Sequence, residues 1–107
     1  MLVLMMLTIA EGTVAELADI FRLLGDTTRL RITLCCRAHP IAVGDIAASL
    51  DISPSLVSHH LRLLRAARIV TADRQGKQVF YFVSDSHISR MVASMLEHLD
   101  EPRLDLD

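Results

Sequence analysis

The chain has 107 residues, a formal net charge of −2 and a hydrophobic fraction of 51%. That length suits one small domain, and so apolar a composition indicates that part of its surface is covered by a second subunit. The net charge alone gives no sign of a polyanion binder, but four acidic residues within positions 100–107 mask a more basic middle.

Two features of the composition bear on the compartment. Two cysteines are too few for a disulfide framework, which favours a reducing cytoplasm. The apolar run at residues 1–10 is too short to span a membrane and lacks the basic flank of a signal peptide, so no membrane association is expected. We interpret this run as the start of a buried dimerisation helix.

Hydrophobic spacing predicts a first helix over residues 13–24 and a second over 27–38. Asp26 is placed to cap the second helix, and Pro40 stops it. One face of the first helix is apolar and consists of Val14, Leu17, Ile20, Phe21 and Leu24.

Two further helices follow, over residues 42–50 and 54–66. They are separated by a tight turn in which Ser53 precedes Pro54, a strong N-cap and first-turn pair. Two short helices joined by so brief a turn are typical of a helix-turn-helix, here at about 42–66.

After this motif in the sequence, two segments rich in β-branched and aromatic residues predict strands over 69–73 and 79–83. A turn containing Gly76 separates them, so a hairpin is expected over about 69–83. A hairpin after a helix-turn-helix is a wing. We therefore predict a single domain over 1–107, mainly α with a small β-hairpin: a winged helix-turn-helix.

The fourth helix has a polar face that can read DNA. Within an arc of about 100° lie Ser55, Ser58, His59 and Arg62. Such side chains at a helix N-terminus can bond base edges and phosphates. The candidate surface is completed by Ser53, Arg65, Arg74, Gln75 and Lys77. A solvated helix face is the alternative, and the helix-turn-helix context favours the DNA interpretation.

The last helix is predicted over about 85–101, and one face of it is apolar. The stripe consists of Ile88, Met91, Val92, Met95, Leu96 and Leu99. Together with the first helix it would form a homodimer interface. A dimer presents two reading helices, so the operator is expected to be double-stranded DNA with an inverted repeat.

Metal-ligating residue types lie at both ends of this last helix. His87 and His98 point in nearly the same direction but are about 16 Å apart along the axis, so one ion cannot bind both within one chain. Two antiparallel copies would bring Asp85 and His87 of one chain to His98 and Glu101 of the other. Two nitrogens and two carboxylates suit a tetrahedral divalent ion, with zinc favoured and cobalt or nickel also compatible. Histidines that are merely solvated or capping are the alternative.

Four segments carry a resemblance to a known family. They are LGDTTRLRI at 24–32, VGDIA at 43–47, SPSLVSHHL at 53–61 and QGKQVFY at 75–81. In combination these segments resemble the ArsR/SmtB family of winged-helix, metal-sensing transcriptional repressors. The resemblance implies the same fold and a dimer built from the first and last helices.

The resemblance also implies a site and a mode of action. The family pattern Asp-x-His, ten residues, His-x-x-Glu matches Asp85, His87, His98 and Glu101 without a gap. In relatives with this pattern, metal releases DNA and relieves repression. The family further implies that the far nitrogen of His98 donates to a backbone carbonyl at the Arg68 position.

The chain departs from the pattern of some family members at one place, and two other functions have to be considered. Ala42 and Gly44 stand in a segment where some members carry cysteine, so a second, thiolate site is not expected. Cys35 and Cys36 are interpreted as core residues, and a thiol-based redox or soft-metal switch is the alternative. No nucleophile motif or separate general base is recognised, and four protein ligands would leave the metal no open position, so the protein is not expected to be an enzyme.

Overall fold

The computed structural model describes residues 9–103. It contains five helices and three strands in this part of the chain. They are α1 (Glu11–Leu24), α2 (Thr27–Ala38), β1 (Ile41–Ala42), α3 (Val43–Leu50), α4 (Pro54–Ala66), β2 (Thr71–Gln75), β3 (Gln78–Phe82) and α5 (Ser86–Asp100). Most of the apolar run at 1–10 lies outside the described residues.

The helix starts follow the capping chemistry that the sequence offers. The side chain of Asp26 accepts a hydrogen bond from the Arg29 N–H at 3.0 Å, and this bond holds the pKa of the carboxyl below its usual value. Ser53 Oγ accepts from the Leu56 N–H at 3.1 Å, with Pro54 in the first turn. The predicted bounds of α2 and α4 are confirmed, and α1 begins two residues earlier than predicted.

Among the described residues, two that are not glycine adopt positive φ, each where a helix ends. Asp51 has φ 55 after α3, and Arg68 has φ 60 after α4. At the end of α4 the Ile69 N–H donates to the Leu64 carbonyl and the Arg68 N–H to the Arg65 carbonyl, the paired bonds of a Schellman motif. This turn brings the chain from the end of α4 towards strand β2, which begins at Thr71.

The sheet differs from the expected hairpin in two ways. It has three antiparallel strands in the order β1-β3-β2, and β1, at the predicted start of the third helix, pairs Ile41 with Tyr81. The strands of the hairpin are displaced from 69–73 and 79–83, because Ile69 still belongs to the turn after α4. The loop is a two-residue turn in which Gly76 has φ 64, the positive value such turns need at their first position.

The core lies between α2, α3, α4 and the residues Ile69 and Val70 that precede β2. Val57, Leu61 and Leu64 of α4 are at most 1% exposed, as predicted, and each contributes about 1.5–3 kcal/mol by burial. The predicted apolar face of α1 is only partly buried in the single chain: Leu24 is buried, whereas Leu17 and Phe21 are more than half exposed. The helix-turn-helix is α3, the turn at 51–53 and α4, and β2–β3 is the wing.

Candidate metal centre and nucleic-acid interface

The outward face of α4 presents most of the predicted DNA-reading residues. Ser55, His59 and Arg62 are exposed, and Ser58 is half-buried. The hydroxyl oxygen of Ser53 is engaged as the helix cap. This face therefore offers hydroxyl, imidazole and guanidinium groups beside the positive end of a helix dipole.

The predicted wing residues are all exposed, but two of them lie in a strand. Arg74 and Gln75 belong to β2, and only Lys77 lies in the turn. Arg74 Nε donates to the Gly76 carbonyl at 3.3 Å, and Gln75 Nε2 donates to a carboxylate oxygen of Asp73 at 3.3 Å. The two bonds order the wing tip and leave the Lys77 ammonium exposed beside it.

His60, unlike its neighbour His59, faces the interior. It is 9% exposed, and among the described residues its Nδ1 has no hydrogen-bond partner. Burial lowers the pKa of His60 from its usual 6.5; the Asp26 carboxylate opposes this shift, while Arg29 and His59 reinforce it. His60 is therefore a core residue of α4 whose burial favours the neutral imidazole.

At the start of α5, Asp85 and His87 form a pair. Asp85 Oδ1 accepts from the backbone N–H of His87 at 2.7 Å and of Ile88 at 3.2 Å, which holds the pKa of this carboxyl below its usual value. His87 Nδ1 lies 3.2 Å from the same oxygen. The cap thus holds an ionised carboxylate against an imidazole that is 83% exposed.

At the other end, His98 and Glu101 form a matching pair. His98 Nδ1 lies 3.3 Å from Glu101 Oε1, and both side chains are 68% exposed. Glu101 is not helical: it has φ −62 and ψ 139 and follows the last residue of α5. No hydrogen bond joins His98 to the Arg68 carbonyl within the described part of this chain, so that link stays a prediction.

The two pairs have the donor chemistry of metal ligands, and their spacing is compatible with ligation. Two ligands at tetrahedral angles, each about 2.0 Å from zinc, are about 3.3 Å apart, and the nitrogen–oxygen distances here are 3.2 and 3.3 Å. Within residues 9–103, however, no three His, Cys, Asp or Glu side chains converge on one point. Each end of α5 therefore holds one histidine–carboxylate pair, and the four-ligand set stays a prediction.

An apolar groove runs between α1, α2 and α5. Its lining consists of Phe21, Leu24, Leu30, Leu34, Met91, Val92, Met95, Leu96 and Leu99. Of these, Phe21 is 56%, Met95 56% and Leu99 78% exposed. So much apolar surface on the first and last helices is typical of an interface with another subunit.

The cysteines have the character of core residues. Burial, reinforced by the neighbouring Cys35, raises the pKa of the Cys36 thiol to about 12, and burial also raises the pKa of Cys35. A thiolate is the reactive form, so these environments disfavour a thiol switch.

Two contacts that sequence spacing did not predict connect distant parts of the chain. Arg37 Nε, at the end of α2, donates to Ser89 Oγ at 3.0 Å and to the Ser89 carbonyl at 3.2 Å. Thr71 Oγ1 and Ser84 Oγ lie 2.8 Å apart and join the wing to the segment before α5. Neither pair has a local sequence signal.

Comparison with known proteins decides the family. Residues 26–72 match the family described as bacterial regulatory protein, arsR family. The regulator NmtR of Mycobacterium tuberculosis is 32% identical over 92 residues, which cover 86% of this chain and 77% of that protein. The chain belongs to the ArsR family. A Synechocystis protein named as a homolog of the repressor SmtB is 36% identical over 86 residues. The match covers 80% of this chain and 65% of that relative, so the chain spans a little under two thirds of the length of the Synechocystis protein.

Solved structures agree with this family and its fold. The cadmium sensor CmtR of Mycobacterium tuberculosis is 33% identical, with a TM-score of 0.66 over 85% of this chain and 99% of that one. A homodimeric winged helix-turn-helix domain of Mycobacterium bovis superposes with a TM-score of 0.79 at 23% identity, over 84% and 83% of the two chains. The winged helix-turn-helix prediction is confirmed. The relatives are named regulators and repressors, in agreement with the prediction of a regulator rather than an enzyme.

Of the described helices, none is both long and apolar enough to cross a membrane.

Proposed function

We propose that this ArsR-family protein is a homodimeric, metal-responsive repressor whose metal-free form binds an inverted-repeat operator and whose metal-bound form releases it. The observation that carries the proposal is the presence of two histidine–carboxylate pairs, one at each end of the helix α5. Membership in the ArsR family supports the regulatory role, and the name of CmtR as a cadmium sensor supports metal as the effector.

The ligand set is shared between protomers. His87 and His98 are separated by about 16 Å on α5, so the pair Asp85–His87 of one protomer meets the partner's His98 and the partner's Glu101 when two copies of α5 pack antiparallel. Two-fold symmetry makes two such sites per dimer. The bonds from the N-terminal amides of α5 keep the Asp85 carboxylate in place before any ion arrives.

The dimer interface consists of the apolar groove and the neighbouring apolar surface of α1 and α5. Leu17 and Phe21 on α1, with Met95 and Leu99 on α5, are more than half exposed in the single chain. Covering them removes apolar surface from water at about 25 cal/mol per Å². The homodimeric Mycobacterium bovis domain is consistent with this arrangement.

In the DNA complex, the exposed side chains of α4 enter the major groove. Ser55, Ser58, His59 and Arg62 face base edges, while Ser53 and the N-terminus of α4 lie near phosphates. Arg65, Arg74, Gln75 and Lys77 contact the backbone on either side. The site of action of such a regulator is the cytoplasm.

Zinc is the favoured ion, because two imidazoles and two carboxylates provide a tetrahedral nitrogen–oxygen set; cobalt and nickel accept the same donors. Bound metal supplies a positive charge that joins the ends of two α5 helices. For release to follow, the ion must bind the low-affinity conformation of the dimer more tightly than the DNA-bound one.

The test is fluorescence anisotropy of the protein on DNA from its own promoter, titrated with zinc, cobalt and nickel. Wild type, His98→Ala and the control Glu97→Gln, an exposed neighbour on α5, are compared. The proposal expects metal to release wild type and the control but not His98→Ala. Equal release of all three proteins, or of none, contradicts it.

The alternative of a thiol-based switch at Cys35 and Cys36 is disfavoured by their burial and raised pKa values. It becomes the next hypothesis if metal fails to act through α5. In that case replacing both residues with serine abolishes the response to oxidants or soft metals.

A further inference from the structure

The side chain of Arg37 joins the helix that carries the proposed metal ligands to the DNA-binding unit. Its Nε lies 3.0 Å from Ser89 Oγ and 3.2 Å from the Ser89 carbonyl oxygen. Arg37 is in the last turn of α2, so the contact spans 52 positions of sequence. Within residues 9–103, no other side-chain hydrogen bond joins α5 to another helix or to a strand.

On the side of the metal ligands, Ser89 belongs to the first turn of α5. Its backbone N–H donates to the Asp85 carbonyl at 3.2 Å. The same turn holds His87, whose ring faces the Asp85 carboxylate. A displacement of the Asp85–His87 pair therefore moves the residue to which Arg37 is bonded.

On the DNA side, α2 packs directly against the recognition helix α4. Ile32 and Cys36 of α2 share the buried core with Leu61 and Leu64 of α4. A close-packed interior transmits small displacements rather than absorbing them. A shift at the C-terminal end of α2 thus reaches α4 through contacts that are already in place.

We propose that Arg37 is a positioning residue through which occupancy of the α5 site reaches the recognition helix, by its paired hydrogen bonds to Ser89. This inference rests on the proposed function and names the connection inside one protomer. Arg37 is neither one of the proposed metal ligands nor one of the proposed DNA contacts. Its effect is on the coupling between the two ligands and not on either affinity alone.

The experiment compares wild type with Arg37→Lys, which keeps the charge but loses the Nε–H donor, and with Ser89→Ala, which removes the Oγ acceptor. Arg31→Lys, at an exposed position of the same helix, is the control. For each protein we measure operator affinity without metal, zinc affinity by chelator competition, operator affinity at saturating zinc, and the melting temperature of the metal-free form.

We expect zinc affinity and metal-free operator affinity to stay at the wild-type values in all variants. The fold-loss of operator affinity caused by zinc should shrink roughly threefold to tenfold in Arg37→Lys and in Ser89→Ala. The double variant should lose no more coupling than Arg37→Lys alone, because Ser89→Ala removes one of the two acceptors of the same Nε–H. Arg31→Lys should couple like wild type.

Full coupling in both Arg37→Lys and Ser89→Ala overturns the inference and leaves the proposed function standing. Weakened zinc binding in these variants also overturns it, because Arg37 would then shape the site and transmit nothing. A wild type that does not respond to zinc overturns both proposals. If Arg37→Lys melts much earlier than wild type, Ser89→Ala decides, since alanine suits a helix interior.

Discussion

Glu101 lies just beyond the end of α5, yet its carboxylate returns to the helix, where Oε1 lies 3.3 Å from His98 Nδ1. If this pair is half of a metal site, Glu101→Gln removes an anionic donor without changing the size of the side chain. Zinc affinity should fall at least tenfold, a loss typical even of groups one shell farther from a metal. Chelator competition measures it.

Glu97→Gln is the matched control for this prediction, because it changes the charge of α5 equally, one residue before His98. Equal losses in Glu97→Gln and Glu101→Gln would mean that net charge, and not ligation, governs zinc affinity.

The apolar surface of α5 should govern self-association. Leu99 is 78% exposed in the single chain, so Leu99→Glu should cost the protomer little stability. If a partner covers it, burial contributes about 1.5–3 kcal/mol per leucine, and the dimer dissociation constant should rise by about tenfold or more. Sedimentation equilibrium checks this, with Leu63→Glu, on an exposed part of α4, as the control. An unchanged dissociation constant for Leu99→Glu would place the interface elsewhere.

The wing should contribute charge without sequence preference. Lys77 is exposed in the two-residue turn of the hairpin. If each protomer places Lys77 against one phosphate, Lys77→Ala removes two phosphate contacts per dimer. The slope of log affinity against log salt should then become less steep by roughly 2, with similar weakening on operator and random DNA. A loss confined to the operator would instead indicate that Lys77 reads bases.

The buried His60 should make the stability of the protein depend on pH. Burial lowers its pKa in the folded state from the usual 6.5, so the unfolded chain takes up a proton at a higher pH than the folded one. The contribution of neutral His60 is therefore fully present above about pH 6.5 and is lost as the pH falls. His60→Phe should flatten the decline in urea-unfolding free energy between about pH 7 and 5. The exposed His59→Gln should not, and a decline that persists unchanged in His60→Phe would assign it to other groups.

The sequence predicted the elements whose signals are local. The predicted cap residues Asp26 and Ser53 each accept a hydrogen bond from a backbone amide of the helix that follows, and those helices begin directly after them. The apolar spacing of α4 likewise predicted its buried face. These features depend on residues within one or two turns of each other, which is the range over which sequence patterns are informative.

The features that were missed depend on distant contacts. Strand β1 has only two residues, and it exists because Ile41 and Ala42 pair with Tyr81 and Phe80. The apolar stripes on α1 and α5 were predicted, but their exposure in the single chain was not, because periodicity alone does not distinguish a face buried in the core from one that a second subunit covers. The bonds of Arg37 to Ser89 span 52 positions and leave no periodic trace.

In the candidate site, too, the local features were predictable from the sequence and those that depend on distant contacts were not. Each histidine lies near a carboxylate two or three residues away, at nitrogen–oxygen distances of 3.2 and 3.3 Å, while the use of Asp85, His87, His98 and Glu101 as metal ligands stays a prediction. The assembly of the pairs across two chains is a property of the dimer, so it stays a prediction. Which of the predicted DNA-reading residues lie in a helix, a strand or a turn could not be predicted without knowing how the two strands of the hairpin pair.

The central claim is that one metal takes ligands from two protomers, and zinc stoichiometry of a mixed dimer tests it most directly. One tagged chain carries Asp85→Asn with His87→Ala, and a second, differently tagged chain carries His98→Ala with Glu101→Gln. Each variant alone forms dimers in which both sites lack half of their ligands. The mixed dimer contains one site with all four ligands and one with none. We expect one zinc per mixed dimer, two per wild-type dimer and none in either variant homodimer. A mixed dimer that binds no zinc, or variant homodimers that still bind it tightly, would contradict the shared site.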